Sequence, residues 1–245
     1  MRSLLAIALA VILPASLRAA EPDPWKLDDK FKALKDDDLK DAKGTPAPKG
    51  AIVLFDGKDV SNWTKTNGKD EVKWTLRDGG VMEGVKGHGD IITREKFDGK
   101  FTLHLEFRVP YEPGGAGQGR GNSGVYVQGR YEVQILDSYG LKSKNNDCGA
   151  IYEVAAPKEN ACKAPSVWQS FDIDFTAPVF ENGKKTEPAR MTVHHNGVKI
   201  HDDVPIPVDN TRAGLGGDPS KPGPILLQDH GHPVQFRNVW LLPSK

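Results

Sequence analysis

The chain has 245 residues, with 33 basic and 33 acidic side chains, 26 Gly, 18 Pro and 2 Cys. This length fits one globular domain with a small appendage, because all-β sandwiches often reach it as a single unit. The formal net charge of zero excludes a general attraction to nucleic acid or to an anionic membrane surface, and no local basic patch replaces it.

The first twenty residues predict a secretory signal peptide. Arg2 precedes an apolar run over residues 4–13, and the segment ends in the small residues Ala19 and Ala20. Because the run is too short for a stable span, we expect a mature chain that is secreted or periplasmic, without a membrane span after cleavage. A short retained anchor is the alternative.

Residues 21–49 form a charged leader ahead of the main domain. Their charges nearly alternate in sign, and Gly44, Pro46 and Pro48 stand near the end of the segment. This composition predicts a solvated leader with some helix, followed by a linker. From residue 50 to residue 245 short apolar runs alternate with turn residues, which is typical of an all-β domain.

Period-two alternation identifies the strands of this domain. In the longest run, over residues 101–109, five apolar side chains alternate with Thr, His, Glu and Arg. The dipeptide Asn196-Gly197 predicts a hairpin with a type I′ turn. So many short strands predict two antiparallel sheets packed face to face. Further strands are expected at residues 52–55, 72–76, 81–83, 90–93, 124–128, 131–136, 168–176, 190–194, 198–201, 225–228 and 234–242.

The polar positions of these strands carry groups suited to directed hydrogen bonding. Sugar hydroxyls both donate and accept, so amides, carboxylates, Arg forks and aromatic faces suit a carbohydrate site. If the strands share one sheet, their polar face forms a sugar-binding platform. The polar candidates are His104, Glu106, Arg108, Glu132, Gln134, Thr192, His194, Gln228, His230, Gln235 and Arg237. Aromatic candidates, with core packing as the alternative, are Tyr126, Tyr131, Tyr139, Trp168 and Trp240.

Cys148 and Cys162 are the only two cysteines. In an exported protein they predict a disulfide that closes a 15-residue loop. A zinc site on these thiolates is less favoured, because structural zinc takes four ligands at closer spacings.

Several ordered blocks resemble the 3-keto-disaccharide hydrolase family, also described as 3-keto-glucoside 1,2-lyases and 2-hydroxyglucal hydratases. The longest block, residues 122–139, reads NSGVYVQGRYEVQILDSY. The resemblance spans about residues 50–243 and implies a concanavalin-like jelly-roll sandwich. It also implies an exported enzyme that acts on oxidised, 3-keto sugars or glycans. The other blocks are residues 54–57, 148–152, 168–169, 195–197, 227–231 and 236–240.

A 3-keto sugar defines the chemistry that such an enzyme would perform. The C3 ketone acidifies the hydrogen on C2, so a base can remove it and the enolate can expel the aglycone from C1. Addition of water to the resulting double bond completes a net hydrolysis. The site needs a base near C2, an electrophile for the enolate oxygen and an acid for the leaving oxygen.

Glu132 and His230 are the predicted acid/base pair, and Arg130 or Arg237 is the predicted cation for the enolate. Glu132 and Gln134 stand two apart on a strand and therefore point to one face. Structural roles are the alternatives: a cross-strand ion pair for Glu132 and a turn role for His230. The predicted substrate-binding residues are His104, Glu106, Asn122, Tyr126, Gln134, His194, Gln228 and Arg237.

Cofactors stay open at this stage. A divalent metal ion is a good enolate acceptor, although no dedicated ligand motif such as HExxH occurs. A nucleotide cofactor is not expected, because the Gly-rich residues 114–121 precede a strand and not a helix. The side chains considered as metal ligands are His104, Glu106, Glu132, His194 and His230.

Two other functions compete with a keto-sugar lyase. A retaining glycosidase of the same architecture would carry Glu-x-Asp-x-x-Glu on a strand, but residues 132–137 have an amide at the middle position and the shorter Asp at the last, which falls on the opposite face of the strand unless a bulge intervenes. This puts the paired carboxylates of retention in doubt. A non-catalytic carbohydrate-binding module would use the same polar platform without turnover.

Overall fold

The computed structural model describes residues 23–244, so the predicted signal peptide lies outside the described residues. Within this range no helix is long and apolar enough to cross a membrane. Two short 3-10 helices cover Asp36–Leu39 and Gly117–Gly119. The strands of the described part are β1 Ile52–Phe55, β2 Trp63–Lys65, β3 Thr75–Arg77, β4 Val81–Glu83, β5 Ile91–Thr93, β6 Lys100–Arg108, β7 Ser123–Val127, β8 Tyr131–Ile135, β9 Gln169–Thr176, β10 Val179–Glu181, β11 Lys184–Glu187, β12 Ala189–His195, β13 Val198–Ile206, β14 Leu226–Leu227 and β15 Gln235–Pro243.

The strands assemble into two main antiparallel sheets. The larger sheet has eight strands in the order β13-β12-β9-β6-β15-β4-β3, with β1 also paired to β15. The smaller sheet has the order β2-β5-β14-β7-β8, and β10 and β11 form a separate hairpin. This architecture confirms the predicted jelly-roll sandwich.

The hydrophobic core lies between the two sheets. Phe107 and Phe171 of the larger sheet and Val133 of the smaller sheet are fully buried. The rings of Tyr131 and Phe175 meet across the interface with centroids 5.7 Å apart. Because side chains alternate along a strand, each sheet keeps a second, polar face that points away from this core.

Two hairpin turns use the same backbone chemistry. Asn196 and Gly197, with φ of 53° and 81°, join β12 to β13 and confirm the predicted turn. Asn182 and Gly183, with φ of 52° and 77°, join β10 to β11. Both turns need two successive positive φ angles, which Asn and Gly tolerate. The second hairpin and β2 are absent from the sequence prediction.

Residues 23–49 pack against the larger sheet, in contrast to the predicted solvated leader. The backbone N–H of Ala42 donates to the carbonyl of Trp168 at 2.8 Å. The Arg108 guanidinium lies over the rings of Trp25 and Trp168, 4.5 and 4.9 Å from their centroids. The indole N–H of Trp240 donates to the carbonyl of Thr45 at 2.9 Å. The segment therefore covers part of the polar face of this sheet and supplies hydrogen-bond partners there.

Candidate active site

The candidate site lies on the outer face of the smaller sheet. Strands β7 and β8 are joined through Gln128, and their register pairs Tyr126 with Glu132 and Gly124 with Gln134. The alternate residues of both strands enter the core, so these four positions share the opposite face. Local strand periodicity therefore places the predicted polar residues of β8 beside Tyr126.

These strands and the loops around them enclose a cavity of about 230 Å³. Strands β7 and β8 and the end of β14 form its floor, and the connections that follow β6, β8 and β13 form its walls. Its size and polar lining suit a small hydrophilic ligand. The lining residues are Gln118, Asn122, Tyr126, Glu132, Gln134, Tyr152, Arg212, Ala213, Gln228 and His230.

Gly124 creates space in the floor of the cavity. A Cβ atom at this position would lie 2.5 Å from Oε1 of Glu132 and 3.1 Å from Cε2 of Tyr126. Real Cβ contacts are longer than this, so any larger residue would displace the carboxyl or the ring. The absent side chain thus allows Glu132 to lie across the sheet surface.

Glu132 is the main titratable group of the site. Its side chain is almost fully buried, and burial raises the pKa of its carboxyl to about 7. A hydrogen bond with the Tyr126 hydroxyl lowers this pKa and so offsets part of the effect of burial. The same hydroxyl accepts a hydrogen bond from Nε2 of Gln228 at 2.9 Å. A carboxyl that titrates near neutral pH can both take up and return a proton during a reaction.

Three amide side chains form a second polar group in the cavity. Nε2 of Gln134 donates to Oε1 of Gln118 at 3.0 Å, and Nε2 of Gln118 donates to the carbonyl of Asn146 at 2.8 Å. Nδ2 of Asn122 donates to the backbone carbonyl of Gln118 at 2.7 Å. Among the described residues, Oε1 of Gln134 has no hydrogen-bond partner.

The rim of the cavity carries His230, Tyr152 and Arg212. His230 is exposed and stacks on His232, with ring centroids 6.3 Å apart. Burial, together with the Glu132 carboxylate, raises the pKa of the Tyr152 hydroxyl. Arg212 is 72% exposed, and its Nη1 lies 3.2 Å from Oε1 of Glu153. The rim therefore offers a cation, an imidazole and a phenol hydroxyl.

Six of the residues predicted from the sequence come together in this cavity: Asn122, Tyr126, Glu132, Gln134, Gln228 and His230. Four lining residues were not predicted: Gln118, Tyr152, Arg212 and Ala213. Gln118 lies in the short 3-10 helix and the other three in irregular segments, and in all of these connections between strands no periodic pattern marks the direction of a side chain. The block at residues 148–152 contains Tyr152 and is the one sequence signal that pointed to any of them.

Arg130 does not line the cavity, in contrast to its predicted catalytic role. It lies in the turn between β7 and β8, where the chain reverses and the parity with Glu132 no longer applies. Its Nη2 donates to the carbonyls of Asp218 and Lys221 at 2.7 and 3.1 Å. Arg130 therefore holds the loop that follows β13.

Four further predicted residues lie on the larger sheet, across the core from the cavity: His104, Glu106, His194 and Arg237. Glu106 accepts hydrogen bonds from Nε of Arg237 at 2.6 Å and from Nδ2 of Asn238 at 2.7 Å. Burial alone would raise the pKa of Glu106, but hydrogen bonds from His104, Asn238 and Arg237 lower it to about 2. The four residues lie on the sheet opposite the one that carries Glu132, so the prediction that these side chains share a site with Glu132 is wrong.

The side chains considered as metal ligands do not converge, because Glu132 and His230 are separated by the core from His104, Glu106 and His194. In the described part of the chain, metal-type donor atoms come together in one group, Cys148, Cys162 and His195, within 4.8 Å of one another. None of these three lines the cavity.

The structure differs from the prediction for the two cysteines. Cys148 is buried and Cys162 is half-buried, and both are free thiols whose sulfurs are not at bonding distance. An S–S bond requires a separation of about 2.05 Å. The predicted disulfide is therefore not present.

Comparison with known proteins agrees with the resemblance seen in the sequence. A curated 3-keto-disaccharide hydrolase from Bacteroides thetaiotaomicron is 24% identical in an alignment that covers 78% of this chain and 77% of the relative. A crystal structure from Parabacteroides distasonis, provisionally described as a glycosyl hydrolase, is 39% identical with a TM-score of 0.72. It covers 81% of this chain and 86% of its own.

A second protein from Parabacteroides distasonis, with the same provisional description, shares the fold at 22% identity and a TM-score of 0.57. It covers 80% of this chain and 95% of its own. The relatives support a hydrolase-like function on carbohydrates. A sequence profile of the 3-keto-alpha-glucoside-1,2-lyase-like domain matches residues 50–242, which is most of the chain. The chain therefore belongs to the family of 3-keto-alpha-glucoside-1,2-lyase-like domains.

Proposed function

We propose that this protein is an exported enzyme that cleaves 3-keto-glycosides by β-elimination and then hydrates the product. One observation carries the proposal: among the described residues that line the cavity, Glu132 is the one carboxylate, and its pKa is raised to about 7. Elimination next to a ketone needs a single base. A retaining glycosidase instead needs two carboxyl groups about 5–5.5 Å apart.

Glu132 performs the first step as general base. Its carboxylate takes the proton from C2, and the electrons of the C–H bond move onto the C3 carbonyl to form an enolate. At neutral pH a group with a pKa near 7 is ionised in a large fraction of molecules, and it still binds the proton that it removes. The hydrogen bond with the Tyr126 hydroxyl stabilises the ionised form of this carboxyl.

Arg212 and Tyr152 are the best placed groups for the negative charge on the enolate oxygen. Arg212 is the cation in the cavity lining, and Tyr152 offers a hydroxyl beside it. A fixed positive charge or hydroxyl donor stabilises an oxyanion as it develops. In this role Arg212 replaces Arg130 and Arg237, which lie elsewhere.

The second step breaks the bond between C1 and the aglycone oxygen. The enolate electrons re-form the C3 ketone and create a double bond between C1 and C2, while the leaving oxygen takes a proton from His230 at the rim. The sugar product is a 3-keto-2-hydroxyglucal. Hydration then adds the oxygen of a water molecule to C1. That water gives one of its protons to His230, and protonated Glu132 returns its proton to C2, so both groups are restored and the overall reaction is hydrolysis.

Asp137 is the residue that would supply the second carboxylate of a retaining glycosidase, because it stands at the last position of the Glu-x-Asp-x-x-Glu pattern. Asp137 does not line the cavity, and its Oδ2 lies 3.0 Å from Nε of Arg120. It is therefore committed to an ion pair outside the site.

Incubation of the mature chain with a 3-keto-glucoside and with its unoxidised parent tests the proposal. Mass spectrometry should detect free aglycone and a 2-hydroxyglucal intermediate only from the keto sugar. Parallel reactions with a chelator would reveal a requirement for a metal ion. Cleavage of the parent glucoside would favour an ordinary glycosidase, whereas binding without turnover of either sugar would indicate a carbohydrate-binding module.

A further inference from the structure

Gln134 carries a buried acceptor that the protein leaves without a partner. The side chain is 1% exposed and lines the cavity, and its Oε1 has no hydrogen-bond partner within residues 23–244. Buried side-chain oxygens in folded proteins nearly always have a partner. An unpaired carbonyl oxygen in a binding cavity therefore points to a hydrogen bond that forms with the ligand.

The neighbouring amides determine which end of Gln134 is free. The backbone carbonyl of Asn146 can only accept, so Gln118 must direct its Nε2 toward it, at 2.8 Å. Oε1 of Gln118 then faces Gln134 and can only receive its Nε2, at 3.0 Å. Asn122 holds the backbone of Gln118 with a further bond of 2.7 Å. The Nε2 of Gln134 is thereby committed to Gln118, and Oε1 is the end of the side chain left to accept a hydrogen bond.

We infer that Gln134 is a specificity-determining residue that binds a hydroxyl of the sugar and excludes the keto oxygen from that position. A hydroxyl can donate to Oε1, whereas a ketone oxygen only accepts and would face a second carbonyl oxygen. This inference rests on the proposed function and adds an orientation of the sugar ring: the oxidised carbon lies away from Gln134.

The position of Gln134 narrows the choice of hydroxyl. Glu132 and Gln134 are two residues apart on one face of β8, about 7 Å along the strand. A 3-keto-glucosyl group keeps its hydroxyls on C2, C4 and C6, and with Glu132 at C2 a group about 7 Å away meets the C4 or the C6 hydroxyl. The hydroxyl that Gln134 recognises is one of these two.

A cycle that combines a substitution in the protein with the removal of one hydroxyl from the substrate tests the inference. Wild type and Gln134→Met are assayed with a 3-keto-glucoside and with its 4-deoxy and 6-deoxy derivatives. In wild type, one derivative should lose about 10- to 100-fold in kcat/KM, because Oε1 is left unpaired. In Gln134→Met that loss should disappear, since the acceptor is absent from both complexes. Equal losses in the two proteins for both derivatives would overturn the inference.

One further variant separates recognition from a general structural effect. Gln118→Ala leaves Gln134 in place but removes the acceptor of its Nε2, so the Gln134 amide can rotate and the discrimination between derivatives should fall. This variant also serves as the test if Gln134→Met does not fold. Discrimination that survives in Gln118→Ala and in Gln134→Met would refute the role of Gln134.

Failure of the proposed function has a different signature. If wild type does not turn over the keto-glucoside, the same cycle is measured as binding affinities for the unoxidised glucoside and its deoxy derivatives. A loss of affinity on removal of one hydroxyl that occurs in wild type and not in Gln134→Met would then support recognition of that hydroxyl by Gln134 in a protein that does not perform the reaction. Absence of binding, or additive effects on binding, would overturn the inference as well.

Discussion

Replacement of Glu132 by Gln should abolish turnover and, at alkaline pH, stabilise the protein. Burial raises the pKa of this carboxyl from 4.5 to about 7. The folded state therefore holds the proton more tightly than the unfolded chain does. Consequently the wild type loses stability as pH rises between 4.5 and 7, and the loss is complete above pH 7.

The magnitude follows from the change in pKa. At about 1.4 kcal/mol for each pH unit, a rise from 4.5 to about 7 corresponds to on the order of 3 kcal/mol in the free energy of unfolding. Gln has nearly the same shape and no charge to desolvate. Glu132→Gln should therefore be more stable than wild type by up to about 3 kcal/mol at pH 8.5, and by less than about 1 kcal/mol at pH 5.

Urea unfolding at the two pH values measures this difference, and kcat/KM on a 3-keto-glucoside should fall by at least about 100-fold. Glu181→Gln is the matched control, because it removes an exposed carboxylate on the separate β10–β11 hairpin. It should change neither quantity. A Glu132→Gln protein that is less stable than wild type at pH 8.5 would refute the reasoning, since the carboxylate would then be a stabilised structural ion.

Three other changes test the surroundings of the site. Tyr126→Phe removes a hydrogen bond that lowers the Glu132 pKa, so the midpoint of the kcat/KM–pH profile should move to higher pH; an unchanged or lower midpoint would contradict this. Gly124→Ala should reduce turnover at least about 10-fold with the fold retained by circular dichroism, because the new Cβ displaces the carboxyl; normal activity would show that the floor adapts. Trp25→Ala should lower stability by about 1 kcal/mol through loss of its contact with Arg108, and an unchanged urea midpoint would show that residues 23–49 add nothing to the fold.

Much of the candidate site could be predicted from local pattern. Alternation along β8 places Glu132 and Gln134 on one face, and this relation depends only on the pleat of the strand. The same alternation along β7 predicts the face on which the Tyr126 side chain lies. The rule ends where a strand ends, which explains the error at Arg130: its side chain belongs to a turn and points to the loop that it holds.

The sequence by itself determined the class of fold, most strands, the Asn196-Gly197 turn and the family, because these depend on neighbouring residues or on the order of blocks along the chain. Only the tertiary structure decided which polar faces lie together. An alternating strand has a polar face in either sheet, so the pattern of β6 and β15 could not show that Glu106 and Arg237 lie across the core from Glu132. Likewise Gln118, in a short 3-10 helix, and Arg212, in an irregular loop, reach the cavity from connections between strands. Their positions depend on contacts between residues far apart in sequence, which no local periodicity encodes.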